Sequence, residues 1–166
     1  EPDNHLLRSK LYANKNLYQK PIPLKKDAQN NKNKLINIGY FSADFQNHAT
    51  MYLISEIFEK YNKEKFRVYI YSFGRSSSSD EIRQKLKNSV DVFRDVIDLD
   101  EKNIALLSRE DKIDIAIDLK GYTRNSRPKI FAYRAAPIQI NFLGYPGTTG
   151  ADFMDYIIAD RVIIPE

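Results

Sequence analysis

From residue 35 to residue 160 the chain alternates between short β-rich runs and helix-like stripes, with few residues between them. LINIGYF, FRVYIYSF, VDVFRDVI, IDIAIDL, IQINFL and DYIIAD read as strands from their β-branched and aromatic content. Between them, Met51, Ile54, Ile57, Phe58 and Tyr61 share one face of a helix. Ser78 with Glu81 predicts a capping box opening the helix DEIRQKLKN, and Asp100 predicts the cap of a short helix over NIALLSRE. A further helix is expected near residues 128–134. IDIAIDL lacks clean alternation, so it is expected to be buried on both faces. Strands spaced by helices in this way predict an α/β domain: a Rossmann-like, open, mostly parallel sheet with helices on both faces.

Residues 1–20 carry Leu6, Leu7, Leu11, Tyr12, Leu17 and Tyr18 at loosely helical spacing and read as a helical arm. PIPL ends it, and the polar run KKDAQNNKNK comes next, so residues 21–34 read as a linker and residues 35–166 as the folded lobe. The net charge of +4 is mild and its excess lies in that linker. A solvated connection explains it better than a nucleic-acid tether, and no nucleic-acid partner is expected. The absence of cysteine excludes disulfides and a Cys nucleophile, and a total of two histidines argues against a zinc site built from His. No apolar run approaches the roughly 20 residues that span a bilayer, and no signal-peptide pattern opens the chain. A cytoplasmic protein is expected, and the missing initiator Met suits a piece of something longer.

In open parallel sheets, ligands bind beyond the carboxyl ends of the strands. Three segments at such positions are richer than a connection requires. SADFQNHATM (residues 42–51) offers Asp44, Asn47, His48 and Thr50 near a helix N-terminus, where an anion is favoured; alternatively Asp44 or Asn47 simply caps that helix. It holds no GxGxxG, so dinucleotide binding is not supported. DLKGYTRNSR (residues 118–127) places Lys120, Arg124 and Arg127 after a strand, to face a phosphate or only solvent. LGYPGTTG (residues 143–150) combines Gly144, Gly147 and Gly150 with a stiffening Pro146. Such a rigid loop, rich in backbone N–H groups and hydroxyls, suits a ligand with many hydroxyls such as a sugar, or serves only as a rigid turn. The Asp98-Leu99-Asp100 spacing resembles a metal-holding Asp-x-Asp, but Asp100 is already assigned to a helix cap.

Together, YFSADFQNHAT and the run DIAIDLKGYTRNSRPKIFAYRAAPIQINFLGYPGTTGADFMDYIIADRVIIPE resemble the catalytic region of the O-linked N-acetylglucosamine transferase and SPINDLY family over residues 35–166. The resemblance implies the N-terminal lobe of a glycosyltransferase B fold. It also implies a longer protein with tetratricopeptide repeats before the lobe and a second lobe after it. The implied reaction moves N-acetylglucosamine with inversion from UDP-N-acetylglucosamine to Ser or Thr hydroxyls of a protein or peptide, with no cofactor and no metal. His48 matches the family histidine lining the sugar and acceptor site, and Asp44 matches an acid proposed to help remove the acceptor proton. Thr50 matches a sugar-site threonine, and Leu143, Gly144 and Pro146 match the loop that packs on the donor sugar. Ala49 and Gln46 depart from the family's frequent proline and glycine. The lysine expected to meet the diphosphate belongs to the second lobe, so the fragment is expected to be inactive, or nearly so, by itself. The alternatives are a protein-interaction module without catalysis, or a related transferase using fucose, glucose or an Asn acceptor.

Overall fold

Tyr40 and Phe41 are neighbours in sequence but belong to opposite faces of one sheet, and the rest of the fold is arranged around that division. They lie in β1 (Ile36–Ser42), which pairs in parallel with β2 (Phe66–Ser72) on one side and β4 (Ile115–Asp118) on the other. With β3 (Val92–Asp95), β5 (Ile138–Phe142) and β6 (Tyr156–Ile158), the strands form one sheet of six in the order β3-β2-β1-β4-β5-β6. Every pairing is parallel. The structure is a computed structural model that describes residues 2–24, 35–75, 77, 79–162 and 164. The KKDAQNNKNK segment, residues 25–34, lies outside them.

Two helices cover each face. Tyr40, Val68, Ile70 and Ile117 pack with Met51, Ile54 and Phe58 of α2 (Ala49–Lys60) and Leu86 of α3 (Glu81–Ser89). Phe41, Tyr69, Tyr71 and Ala116 pack with Ile104 and Ala105 of α4 (Glu101–Glu110) and Ile130 and Phe131 of α5 (Lys129–Ala132). Phe41 stacks on Tyr71 with centroids 4.4 Å apart, while Tyr40 meets Phe58 edge-on at 5.0 Å. Burying a side chain such as Phe41 or Met51 stabilises the fold by about 1.5–3 kcal/mol each. The expected two-faced burial of the fourth strand is observed, since Ala116 faces one cluster and Ile117 the other.

Helix ends show where sequence pattern and structure part. Asp100 caps α4 as expected, its Oδ1 accepting the Asn103 N–H at 2.7 Å. At α3 the cap is Asp80, whose Oδ1 accepts the Arg83 N–H at 2.8 Å; Ser78, the expected cap, lies outside the described residues. Asp80 prevails because the helix starts at Glu81, directly after it. The helix expected near residues 128–134 is only four residues long, ended by Arg134 at φ 65°. Ile57 lies at the edge of its stripe and is 38% exposed. The N-terminal segment forms α1 (Pro2–Asn16), whose Ala13, with Leu17 just beyond the helix, is buried against Ala151. Its Tyr12 also meets Tyr122 edge-on at 5.1 Å, so the helix reaches the chain after β5 and the turn after β4.

Candidate functional site

The strand order turns outward in both directions from β1 and β4, and that junction is where open α/β sheets hold ligands. Both strands end there in buried carboxylates. Beyond β1, the Asp44 N–H bonds Ser42 Oγ at 2.9 Å, which turns the Asp44 side chain toward β4. Its Oδ2 receives the Lys120 ammonium at 2.7 Å, with both side chains less than a tenth exposed. Two unlike buried charges thus join the first and fourth strand ends.

His48 takes the position expected for Asp44 or Asn47. It is the N-cap of α2: its extended backbone lets Nδ1 accept the Thr50 N–H at 3.2 Å, with Thr50 Oγ1 at 3.1 Å. Asp44 is held off that role by Lys120, and Asn47 accepts the Tyr52 hydroxyl at 2.8 Å instead. A ring nitrogen that accepts a backbone N–H carries no proton, so the neutral ring carries its proton on Nε2. His48 is thereby set up as a hydrogen-bond donor on a side chain 43% exposed. Asp44 Oδ2 lies 3.6 Å from Nδ1, beyond hydrogen-bond range. Thr50 is buried beneath the ring and supports it.

Asp118 closes β4. One oxygen accepts the Lys120 N–H at 2.9 Å; the other accepts the Gly121 N–H at 3.1 Å and the Asn141 amide at 3.0 Å. Burial nevertheless outweighs these bonds and the nearby Lys120 charge, and pushes the carboxyl from its ordinary 3.8 up to about 6. In that window the folded chain keeps a proton that the unfolded chain has released, so this group makes stability fall as pH rises through it. Asp118→Asn carries no such proton. The parent is therefore expected to lose about 3 kcal/mol relative to the variant between roughly pH 4 and pH 6, and nothing further above, in denaturant titrations at each pH.

The loop after β5 rests on the same strand end. Leu143 adopts φ 67°, a left-handed backbone that a leucine seldom holds without support, and remains 37% exposed. Gly144 lies against β4's continuation: a Cβ there would collide with the Leu119 carbonyl and lie 2.5 Å from its carbon. Tyr145 packs on Tyr122 with centroids 5.7 Å apart, and its hydroxyl lies 3.4 Å from His5 Nε2 of α1. Pro146 and residues 147–152 line an open cleft of 880 Å³ that extends along β6. Pro146, Gly147 and Gly150 border that cleft, while Asp44, His48, Thr50, Leu143 and Gly144 do not line it.

The structure therefore gathers Asp44, His48, Thr50 and Lys120 into one cluster and seats Leu143 and Gly144 against the adjoining turn. Of the basic trio in DLKGYTRNSR, Lys120 is consumed by Asp44, Arg127 bonds Glu101 at 3.1 Å and the Leu99 carbonyl at 2.6 Å, and Arg124 is exposed. The pairing of Lys120 with Asp44 spans 76 residues of sequence and had no local signal. Asp118 and Asn141 were equally silent, although two polar residues inside otherwise apolar strands were visible. Among the described residues, no group of three or more His, Asp or Glu is placed to hold a metal ion.

The sequence model of glycosyl transferase family 41 matches residues 9–166. A probable UDP-N-acetylglucosamine–peptide N-acetylglucosaminyltransferase SEC of Arabidopsis thaliana is 39% identical over 132 residues, which is 80% of this chain and 13% of that protein. A UDP-N-acetylglucosamine–peptide N-acetylglucosaminyltransferase of Caenorhabditis elegans is 40% identical over 131 residues, 78% of this chain and 11% of that protein. Among solved structures, a mutant O-GlcNAc transferase of Thermobaculum terrenum aligns with a TM-score of 0.84 at 29% identity, over 96% of this chain and 30% of that one. The chain thus spans a small share of the length of the relatives it matches.

Proposed function

Because the chain belongs to glycosyl transferase family 41, we propose that it is the N-terminal catalytic lobe of an inverting transferase that moves N-acetylglucosamine from UDP-N-acetylglucosamine to Ser and Thr hydroxyls of proteins. In this reading residues 1–20 are an arm leading in from repeats, residues 21–34 a linker and residues 35–166 the lobe. The observation that carries it is the buried carboxylate of Asp44 beside the His48 imidazole, where the strand order turns outward. Inverting transfer needs a base within about 3 Å of the acceptor hydroxyl, directly or through one water. Asp44 supplies the base. His48, with its proton on Nε2, donates a hydrogen bond to an oxygen of donor or acceptor. Leu143, Gly144 and Pro146 pack on the donor sugar, and Thr50 holds His48.

The leaving diphosphate needs positive charge aimed at it. Lys120 and Arg127 are engaged within the lobe, so that charge is assigned to the second lobe, and the fragment alone is expected to transfer no measurable sugar. The test is a chain extended through the second lobe, given labelled UDP-N-acetylglucosamine and a Ser/Thr peptide. Labelled peptide supports the reading. No label, together with His48→Ala leaving donor and acceptor binding unchanged, rejects it. A non-catalytic interaction module is the second reading, favoured by exposed Tyr156, Ile157 and Ile158 on the edge strand β6. A strictly monomeric chain at high concentration in light scattering argues against self-pairing through that edge.

A further inference from the structure

We propose that Lys120 is a positioning residue for sugar transfer: its buried ammonium holds the Asp44 carboxylate and selects which of its oxygens meets the acceptor hydroxyl. This rests on the transferase reading above and names a residue that the resemblance did not supply.

Lysine stems are often buried, but the ammonium ordinarily stays in water. Here the whole residue is 6% exposed, immediately after Leu119, and it points into the lobe. Its Nζ lies 2.7 Å from Asp44 Oδ2. Among the described residues, no protein donor bonds Oδ1 of Asp44, which leaves that oxygen for a hydroxyl or a bridging water. His48 cannot replace Lys120 in this task. Its Nδ1 is occupied by the Thr50 N–H and stands 3.6 Å from Oδ2, so Lys120 is the cation that grips the carboxylate.

The neighbouring Asp118 is a buried carboxyl held differently: its oxygens accept backbone N–H groups and the Asn141 amide, with no ammonium bonded to them. The charged and titratable groups around the Lys120–Asp44 pair are few. His48 shares the loop of Asp44, and Asp118 and Tyr122 flank Lys120. From α3, Arg83 bonds the Phe45 carbonyl at 3.2 Å, and Asp80, at its cap, bonds the Asn47 N–H at 2.8 Å. Neither of these groups bonds Asp44 directly.

During transfer the acceptor oxygen forms a bond to the sugar's anomeric carbon while its proton passes to Asp44 Oδ1, directly or through one water. The bond from that carbon to the diphosphate oxygen breaks, and its electron pair leaves with UDP. Lys120 touches no reacting atom.

The experiment compares the full-length enzyme with Lys120→Met, Lys120→Arg, Asp44→Asn and the Lys120→Met/Asp44→Asn pair, measuring transfer from UDP-N-acetylglucosamine to a Ser/Thr peptide. Lys120→Met is expected to lower kcat at least about tenfold at neutral pH with donor KM little changed. Lys120→Arg restores part of the rate, and Lys120→Met adds nothing once Asp44 is Asn. A kcat within twofold of the parent, a loss carried in donor KM instead of kcat, or a further loss in the Asp44→Asn background overturns the proposal. If Lys120→Met alone proves too unstable to assay, the pair, which removes both charges, decides through that last comparison. A parent enzyme that transfers no sugar overturns the transferase reading itself. An active parent, a dead Asp44→Asn and a fully active Lys120→Met overturn only the role of Lys120.

Discussion

Asp44→Asn in the full-length enzyme is expected to cut kcat for sugar transfer by about 10²- to 10⁴-fold, the range that a positioned general base supplies. The substitution keeps the shape of the side chain and removes its basicity. The KM for the donor is expected to change little, because the lost interaction matters only as the acceptor gives up its proton. Leaving Lys120 buried without its counter-ion also costs stability, so the melting temperature has to be followed beside the rate. His48→Ala provides the contrast. It removes a donor and a helix cap, the latter costing about 1 kcal/mol, and is expected to slow transfer less than Asp44→Asn does. If the order is reversed, with His48→Ala the more damaging, the base is the imidazole and the tautomer argument fails. Steady-state kinetics on the two variants, with thermal unfolding as control, decides.

Gly144→Ala is expected to be strongly damaging for a change of one carbon. The added Cβ meets the Leu119 carbonyl and the Lys120 backbone nitrogen, at 3.0 Å from the latter, and neither belongs to a side chain that could swing aside. Overpacking against backbone of this kind costs about 3 kcal/mol, which for a domain of this size lowers the melting temperature by roughly 10 °C. Gly147→Ala is the control. Its Cβ meets the far end of His5 at 2.8 Å and the Tyr145 ring at 3.2 Å, which can rotate away, so a loss under about 1 kcal/mol is expected. Thermal unfolding of the two variants measures the difference. Equal and small effects would show that the loop after β5 is not seated on the β4 turn.

Much of the fold was legible because burial on a strand or helix has a period. Residues 36–42 and 66–72 are apolar runs bounded by polar turns, and they became β1 and β2, neighbouring strands of the sheet. The stripe through Met51, Ile54 and Phe58 became the buried face of α2. Asp100 was legible as a cap because its partner is three residues away. Where the cue was equally local but two candidates competed, as with Ser78 and Asp80, pattern alone chose the wrong one. At the first helix of the lobe, the imidazole displaced both expected caps, because Asp44 is claimed by a lysine far along the chain.

The candidate site divides in the same way. Asp44, His48 and Thr50 are legible together because they share one strand-to-helix loop, and Leu143, Gly144 and Pro146 because glycine and proline punctuate theirs. That both loops meet the turn after β4 was decided by strand order, which places β1, β4 and β5 side by side with their carboxyl ends together. The sequence by itself determined the alternation of elements, the apolar faces and the residue types available for chemistry, since each depends on neighbours within a turn or two. Only the tertiary structure decided the partner of Lys120 and the high setting of Asp118. Each depends on groups brought close by packing and on the water that packing removes, and neither leaves a mark in local sequence.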